Sequence, residues 1–112
     1  MPLQPVTPQV LQAMTDAIVR EANPEKVILF GSHARGDARP DSDVDLLVVE
    51  KESFGQARNR LKEIGRIYRA VSGYVVSLDI LVYSQQEYDH WQTSLNHVIG
   101  RASREGKLLY AK

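Results

Sequence analysis

Two aspartates, two positions apart, are the residues of this chain best suited to chemistry. Asp43 and Asp45 stand where a polar segment leads into the apolar run 46–49. Side chains at positions i and i+2 of a strand lie on the same face, so the two carboxylates are expected side by side. Mg²⁺ prefers such hard oxygen ligands and usually takes one or two carboxylates together with substrate phosphates. The pair would equally fit two turn or cap residues, since aspartate is common where a loop meets a strand.

A third aspartate interrupts a nearly apolar segment farther along the chain. Asp79 lies inside the run VVSLDILV at 75–82. A charge within a strand is costly unless it is paired or metal-bound, although an exposed Asp79 that alternates with Ser77 would need no partner. With Asp43 and Asp45 available, a third carboxylate from a neighbouring strand would complete a two-metal site suited to in-line displacement at phosphorus. Asp79 would then hold one metal and help deprotonate the incoming hydroxyl.

A glycine and a serine follow the first apolar strand, and they predict a site for phosphate. Gly31 lets the backbone approach an anion closely, and Ser32 begins a short helix whose first N–H groups would face that anion. Taken alone, Gly-Ser after a strand is also a common turn. Arg35 lies one helical turn on, and it would either reach a phosphate or extend into solvent. Ser42 is a candidate for capping or orienting the aspartate pair.

The elements that must position these residues follow from hydrophobic spacing and capping signals. Helices are predicted where apolar residues recur every three or four positions, and strands where short apolar runs are bounded by turns. The predicted elements are helix 8–22, strand 26–30, helix 32–38, strand 43–49, helix 54–72, strand 75–83, helix 85–104 and strand 107–111.

Several element ends carry local signals. Thr7 is predicted to cap the first helix, and the Asn-Pro pair at 23–24 is predicted to end it. The patterns Ser-x-x-Gln at 53–56 and Ser-x-x-Glu at 84–87 predict capping boxes. Gly73 is predicted to end the long helix in a left-handed conformation.

These elements predict an α/β (α+β) fold, with residues 1–112 as a single domain built on a small mixed sheet with flanking helices. The apolar run 46–49 does not alternate, which indicates that both faces of its strand are covered. The link from the second to the third strand passes through a long helix, as in a parallel crossover. If the first two strands are antiparallel neighbours, Gly31 and the aspartate pair meet at one edge of the sheet.

Composition excludes several classes of function. Fourteen basic and fourteen acidic residues cancel, so no global positive field favours nucleic acid or an anionic membrane. The chain has no cysteine, hence no disulfide framework and no thiolate zinc site, which fits a reducing cytoplasm. Its apolar runs are far shorter than a membrane span, and its beginning lacks the pattern of a signal peptide. We therefore expect a cytoplasmic protein with no membrane contact and no direct nucleic-acid binding.

The three histidines carry no assigned role. His33 lies between Ser32 and Ala34, within the candidate phosphate segment. His90 and His97 fall two turns apart on the last predicted helix, too far to share a metal, and are expected to be exposed.

The segment 31–46 carries a family resemblance. It reads GSHARG, five further residues and then SDVDL, which matches the pattern GSxARG(x5)SDxDL. In this the chain resembles the nucleotidyltransferases of the polymerase beta superfamily. At its length it is most similar to the minimal nucleotidyltransferases, which consist of the catalytic domain alone. The resemblance covers essentially the whole chain and shows no departure from the motif.

The resemblance implies a role for each of the main candidates. Gly31 and Ser32 would bind the triphosphate of ATP. Asp43 and Asp45 would hold two Mg²⁺ ions, with Asp79 as third ligand and base. An acceptor hydroxyl would attack the α-phosphorus, and pyrophosphate would leave. Asp79 is assigned by its position in a strand rather than by the motif itself.

The resemblance also implies a partner. Minimal nucleotidyltransferases are typically encoded beside a HEPN-domain toxin and act as its antitoxin, which implies transfer of AMP to a tyrosine of that toxin within a hetero-oligomer. Two alternatives stay open. The chain could neutralise its partner by binding alone, through its tyrosines and a basic helix edge formed by Arg58, Lys62, Arg66 and Arg69. It could instead modify a small molecule such as an aminoglycoside, although a chain without a second domain counts against this.

Overall fold

The structure is a computed structural model that describes residues 2–112. The described residues form four strands and five helices, so the predicted mixed α/β class is confirmed. In chain order the elements are α1 Pro8–Ala22, β1 Lys26–Phe30, α2 Ser32–Arg35, β2 Val44–Glu50, α3 Arg60–Ala70, β3 Leu78–Ser84, α4 Gln85–Trp91, α5 Val98–Glu105 and β4 Lys107–Ala111. None of the helices within 2–112 combines the length and the hydropathy needed to cross a membrane.

The sheet brings the ends of three strands together. Its strand order is β3-β2-β1-β4, with β1 antiparallel to both β2 and β4 and with β2 parallel to β3. Phe30 pairs with Asp45, and Asp45 pairs with Asp79. The predicted antiparallel pair and the predicted parallel crossover are both confirmed. The chain therefore turns from β1 into β2 beside the beginning of β3.

Both faces of β2 are covered, as its unbroken apolar run predicted. Val44, Leu46 and Val48 are fully buried in one apolar cluster, which α1 and α3 complete. Leu47 and Val49 are fully buried in a second cluster, which α4 and α5 complete. Because side chains alternate along a strand, Asp45 faces the same side as Leu47 and Val49. The site therefore opens on the α4–α5 side of the sheet.

Three helix ends lie where the local sequence signals predicted them. The Thr7 side chain accepts a hydrogen bond from the Val10 N–H at 3.1 Å, and Asn23 ends α1 in the left-handed region with φ 49°. The capping box of Ser84 and Glu87 is complete at the beginning of α4. Gly36 ends α2 with φ 86°, so this helix is shorter than predicted.

The predicted beginning of the long helix is wrong. α3 begins at Arg60, where the Asn59 side chain accepts the Lys62 N–H at 3.1 Å. The Ser53 hydroxyl instead donates to the Gln86 side chain at 3.1 Å, a contact with a distant segment that sequence spacing does not reveal. The later start changes the buried face: Leu61 follows the apolar spacing of the predicted helix, yet it is 78% exposed. α3 ends at Ala70 with Val71 as its C-cap, and Gly73 does not adopt the predicted left-handed conformation.

The last long helix is divided in two, which also differs from prediction. A loop at 92–97 separates α4 from α5, and the His97 ring nitrogen Nδ1 accepts the Ile99 N–H at 3.1 Å as a helix cap. His97 stacks on Trp91 with ring centroids 4.5 Å apart. A Cβ at Gly100 would lie 2.9 Å from the Ser94 carbonyl carbon, so only glycine lets this loop cross α5 so closely. The break sets the position of α5 over the sheet.

Candidate functional site

A cavity of about 370 Å³ lies where β1 ends and β2 begins. It brings together six of the seven residues predicted from sequence to form the site. Its lining residues are Phe30, Gly31, Ser32, Arg35, Ser42, Asp43, Asp45 and Arg101. The seventh predicted residue, Asp79, lies beside this cavity rather than in its lining.

At Gly31 the backbone passes close to the Asp45 carboxylate. Gly31 has φ 73° and ψ −156°, a region that only glycine adopts without strain. A Cβ at this position would overlap the Asp45 Oδ2 atom and lie 3.2 Å from its Cγ. Gly31 is therefore required by conformation and by space. Ser32 and His33 follow as the first residues of α2, whose N–H groups have no earlier carbonyl in the helix to bond.

The aspartate pair is held from the segment that leads into β3. Asp43 immediately precedes β2 and Asp45 is its second residue, with the fully buried Val44 between them. The Ser77 hydroxyl donates to Asp43 Oδ1, and the Ser77 carbonyl accepts the Val44 N–H at 2.8 Å. Sequence reasoning treated Ser77 only as a neighbour of Asp79. The feature that could have identified Ser77 is the parallel register of β2 and β3, which places it opposite the beginning of β2.

Asp79 lies next to Asp45 on the neighbouring strand, at the border of the cavity. The two residues are register partners on parallel strands, and both occupy positions that face α4 and α5. Asp79 is exposed, whereas Asp45 is half-buried. The exposed carboxylate is thus accessible to a group that approaches from solvent.

Negative charge accumulates at Asp45. Burial raises the pKa of the Asp45 carboxyl, and the neighbouring charges of Asp79 and Asp43 raise it further. His33 and Arg35 act on this pKa in the opposite direction and offset the rise only in part. Like charges held together in this way are stabilised by a cation between them.

The donor set fits Mg²⁺. The carboxylate oxygens of Asp43, Asp45 and Asp79 are the hard ligands that this ion prefers. Within residues 2–112, no three acidic or histidine side chains are close enough to enclose an ion unaided. Phosphate oxygens of a bound nucleotide would therefore have to complete the coordination, which is the usual arrangement for Mg²⁺.

Ser42 and His33 shape the loop between α2 and β2. The Ser42 hydroxyl accepts the Arg39 N–H at 2.7 Å, and the Ser42 N–H donates to the Arg39 carbonyl at 3.0 Å. The His33 ring nitrogen Nε2 lies 3.2 Å from the Ser42 carbonyl oxygen, which ties α2 to this loop. Ser42 thus holds the turn that precedes Asp43, and its role in orienting the aspartate pair stays a prediction.

Two arginines supply positive charge at the cavity. Arg35 contacts Asp37 at 3.3 Å, and its side chain remains 46% exposed. Arg101 reaches the cavity from α5. Sequence reasoning missed Arg101, because it predicted one continuous helix over 85–104 and no motif marks this residue.

Two of the four residues of the basic helix edge considered as a partner surface, Arg58 and Arg66, form ion pairs. Arg58 pairs with Glu50 and with Glu63, at 3.3 Å for the second pair. Arg66 pairs with Glu63 at 2.7 Å and with Glu21 at 3.2 Å. This ion-pair network lies at the far end of β2 from the cavity, and it ties α1, β2 and α3 together.

The chain matches the nucleotidyltransferase domain family over residues 14–105. It is 45% identical over 58 residues to the candidate protein adenylyltransferase MJ0141 of Methanocaldococcus jannaschii, a match over 52% of this chain and 54% of that protein. The chain thus spans about half the length of that relative. It is 30% identical over 89 residues to the candidate protein adenylyltransferase MJ0604 of the same organism, covering 77% of this chain and 78% of that protein.

Solved structures share the fold. A candidate nucleotidyltransferase of Sulfolobus solfataricus superposes with a TM-score of 0.65 at 21% identity, over 93% of this chain and 79% of that one. A complex of tri-AMPylated Shewanella oneidensis HEPN toxin with its MNT antitoxin gives a TM-score of 0.51 at 16% identity, over 93% and 72% of the chains. At these identities the likeness concerns the fold.

Proposed function

The chain belongs to the nucleotidyltransferase domain family, and on this premise we propose that it transfers AMP from ATP to a hydroxyl of a partner protein. The observation that carries the proposal is the meeting of Gly31 with Asp45 in one cavity, where backbone N–H groups adjoin a pair of carboxylates. This arrangement suits a nucleotide triphosphate with its metal ions. The two relatives named as candidate protein adenylyltransferases support AMP as the group transferred.

In this proposal the triphosphate lies against the first turn of α2. Gly31 lets the phosphates approach the backbone, and Ser32 donates from its N–H and its hydroxyl. Arg35 and Arg101 border the same cavity from α2 and α5, and they would balance the charge of the departing pyrophosphate. Ser42 would hold the loop that leads into the aspartate pair.

The carboxylates would serve the metals and the proton. Asp43 and Asp45 would hold two Mg²⁺ ions, with Asp79 as a third ligand. When bound, the ions would neutralise phosphate charge in the in-line displacement. The acceptor oxygen would form a bond to the α-phosphorus as the bond from that phosphorus to the bridging oxygen of pyrophosphate breaks. The exposed carboxylate of Asp79 would take the proton of the acceptor hydroxyl.

The acceptor that we propose is a tyrosine of a HEPN-domain toxin, and the protein would act as the antitoxin. The fold is shared with an MNT antitoxin that is bound to an AMPylated HEPN toxin. Asp79 is exposed beside the cavity, so a protein-borne hydroxyl can approach its carboxylate from solvent. A hetero-oligomer of the two proteins follows from this proposal.

The test is a transfer assay with the product of the adjacent gene. The purified protein, Mg²⁺ and α-labelled ATP are mixed with that partner, and the labelled residue is located by mass spectrometry. We expect label on a partner tyrosine with the wild type and none with Asp43→Asn. Asp41→Asn is the matched control, because Asp41 is an exposed aspartate of the same loop outside the cavity lining.

The outcomes separate the competing functions. Label on the partner with Asp43→Asn at the wild-type rate would contradict the mechanism. An unlabelled partner whose toxicity is still suppressed, equally by wild type and Asp43→Asn, would indicate neutralisation by binding alone. Label transferred to an aminoglycoside but not to the partner would indicate a small-molecule nucleotidyltransferase.

A further inference from the structure

The free edge of β3 is covered by side chains of α3. β3 is the last strand of the sheet on its side, so one row of its backbone groups has no neighbouring strand. Such groups are left to water or to side chains. Two residues of α3 bond to them: Tyr68 near the beginning of β3, and Arg60 farther along, where it donates to the Val82 carbonyl at 2.7 Å.

The Tyr68 hydroxyl binds the backbone on both sides of Asp79. It donates to the Leu78 carbonyl oxygen at 3.3 Å and accepts the Ile80 N–H at 2.9 Å. The Leu78 carbonyl belongs to the peptide plane before Asp79, and the Ile80 N–H belongs to the plane after it. Rotation between these two planes is what φ and ψ of Asp79 describe. One oxygen atom therefore restrains both backbone angles of Asp79.

We propose that Tyr68 is a positioning residue, which holds Asp79 in register with Asp45 so that its carboxylate stays aimed at the cavity. This inference rests on the proposed function, in which Asp79 takes the proton of the acceptor hydroxyl. Tyr68 itself touches the backbone of β3 and acts only through Asp79.

The negative charges around Asp79 explain why its backbone needs the restraint that the Tyr68 hydroxyl supplies. Asp79 and Asp45 are register partners with like charges, and Asp43 adds a third. Repulsion between like charges favours an outward position of the Asp79 carboxylate, and an edge strand has no neighbouring strand on its outer side to resist that displacement. The hydroxyl of Tyr68 restrains the strand at the residue where that repulsion acts.

Packing alone does not account for this tyrosine. Its side chain is 36% exposed, so the ring is only partly buried. Arg60 covers the same edge three residues farther along, and it also pairs with Glu87 at 2.7 Å. If Tyr68 only covered the edge, losing its hydroxyl would have the same kind of effect as losing the guanidinium of Arg60.

The experiment compares Tyr68→Phe with Arg60→Met in the transfer assay with the partner protein. For Tyr68→Phe we expect kcat to fall about tenfold or more, because small misplacements of a catalytic group are costly, while KM for ATP stays unchanged. Hydrogen–deuterium exchange should show faster exchange of the Ile80 amide in this variant. For Arg60→Met we expect a lower Tm, because an ion pair and a bond to the edge are lost, with kcat unchanged.

Each outcome decides the inference. A Tyr68→Phe protein with the wild-type kcat would overturn it, as would an equal loss of kcat in both variants. A fall in kcat without faster exchange at Ile80 would also overturn it, because the restraint on the backbone would not be the cause. A wild-type protein that transfers nothing would instead refute the proposed function, and the positioning role would fall with it.

Discussion

Replacing Gly31 by alanine tests whether the site depends on the close approach of backbone and carboxylate. Gly31 has φ 73° and ψ −156°, a combination that costs other residues on the order of 1–3 kcal/mol. The new Cβ would also overlap the Asp45 Oδ2 atom and lie 3.2 Å from its Cγ. Ordinary carbon contacts are about 3.5–4.0 Å, so relieving the contact with Cγ alone requires a shift of about 0.3–0.8 Å, and relieving the overlap with Oδ2 requires a larger one. A displacement of about 1 Å at reacting groups can lower a rate about a hundredfold.

Gly36→Ala is the matched control for this change. Gly36 also has a positive φ, 86°, but nothing lies within 4 Å of a Cβ placed there. This variant therefore introduces backbone strain, about 1–2 kcal/mol, without moving a carboxylate. Both substitutions lie in the same short segment, so their difference isolates the contact with Asp45.

The assays are chemical denaturation and the transfer of labelled AMP. We expect both variants to unfold at lower denaturant concentration than the wild type. We expect Gly31→Ala to lose about a hundredfold in transfer rate, and Gly36→Ala to keep most of it. Equal rates in the two variants would refute the reasoning, because the overlap with Asp45 would then have no catalytic consequence.

Three further changes test the electrostatics of the site and of the fold. Asp45→Asn should abolish transfer yet raise Tm at neutral pH. Burial and the charges of Asp79 and Asp43 raise the pKa of Asp45 in the folded protein. The ionised carboxylate therefore destabilises the fold as pH rises above about 4, and asparagine removes that charge. A lower Tm at pH 7 would contradict this. Ser77→Ala should slow transfer with little change in Tm, because Asp43 loses its hydroxyl donor; an unchanged rate would count against that contact. Burial and the neighbouring Glu63 raise the pKa of Glu50 to about 7 from 4.5, so wild-type stability should fall as pH rises between these values. In Glu50→Gln this decline should vanish from the free energy of unfolding measured across that range, and a persisting slope would show that Glu50 is not its source.

The candidate site was largely predictable because short-range rules set its geometry. Only a short polar segment separates Gly31 from Asp45, and strands joined by so short a connection favour antiparallel pairing. Asp79 could be placed because a long helix between β2 and β3 requires a parallel crossover. Each inference needed only the local chain and one topological rule.

Contacts between distant segments account for what the sequence did not predict. The hydroxyl expected to begin the long helix, that of Ser53, bonds to Gln86 instead. The break between α4 and α5 depends on Gly100 lying beneath the Ser94 carbonyl. Arg101 reaches the cavity only because of that break, so no local pattern could have identified it. Tyr68 follows the apolar spacing of the predicted long helix, whereas its bonds to the edge of β3 depend on the relative placement of α3 and the sheet.

Transfer from ATP labelled at either the α- or the γ-phosphate, with the adjacent-gene protein as acceptor, tests the central claim most directly. AMP transfer predicts that the α label becomes fixed to the acceptor, that the γ label appears only in released pyrophosphate, and that Asp45→Asn gives neither. A γ label fixed to the acceptor would mean phosphoryl rather than nucleotidyl transfer and would contradict the account. So would an α label that Asp45→Asn transfers at the wild-type rate.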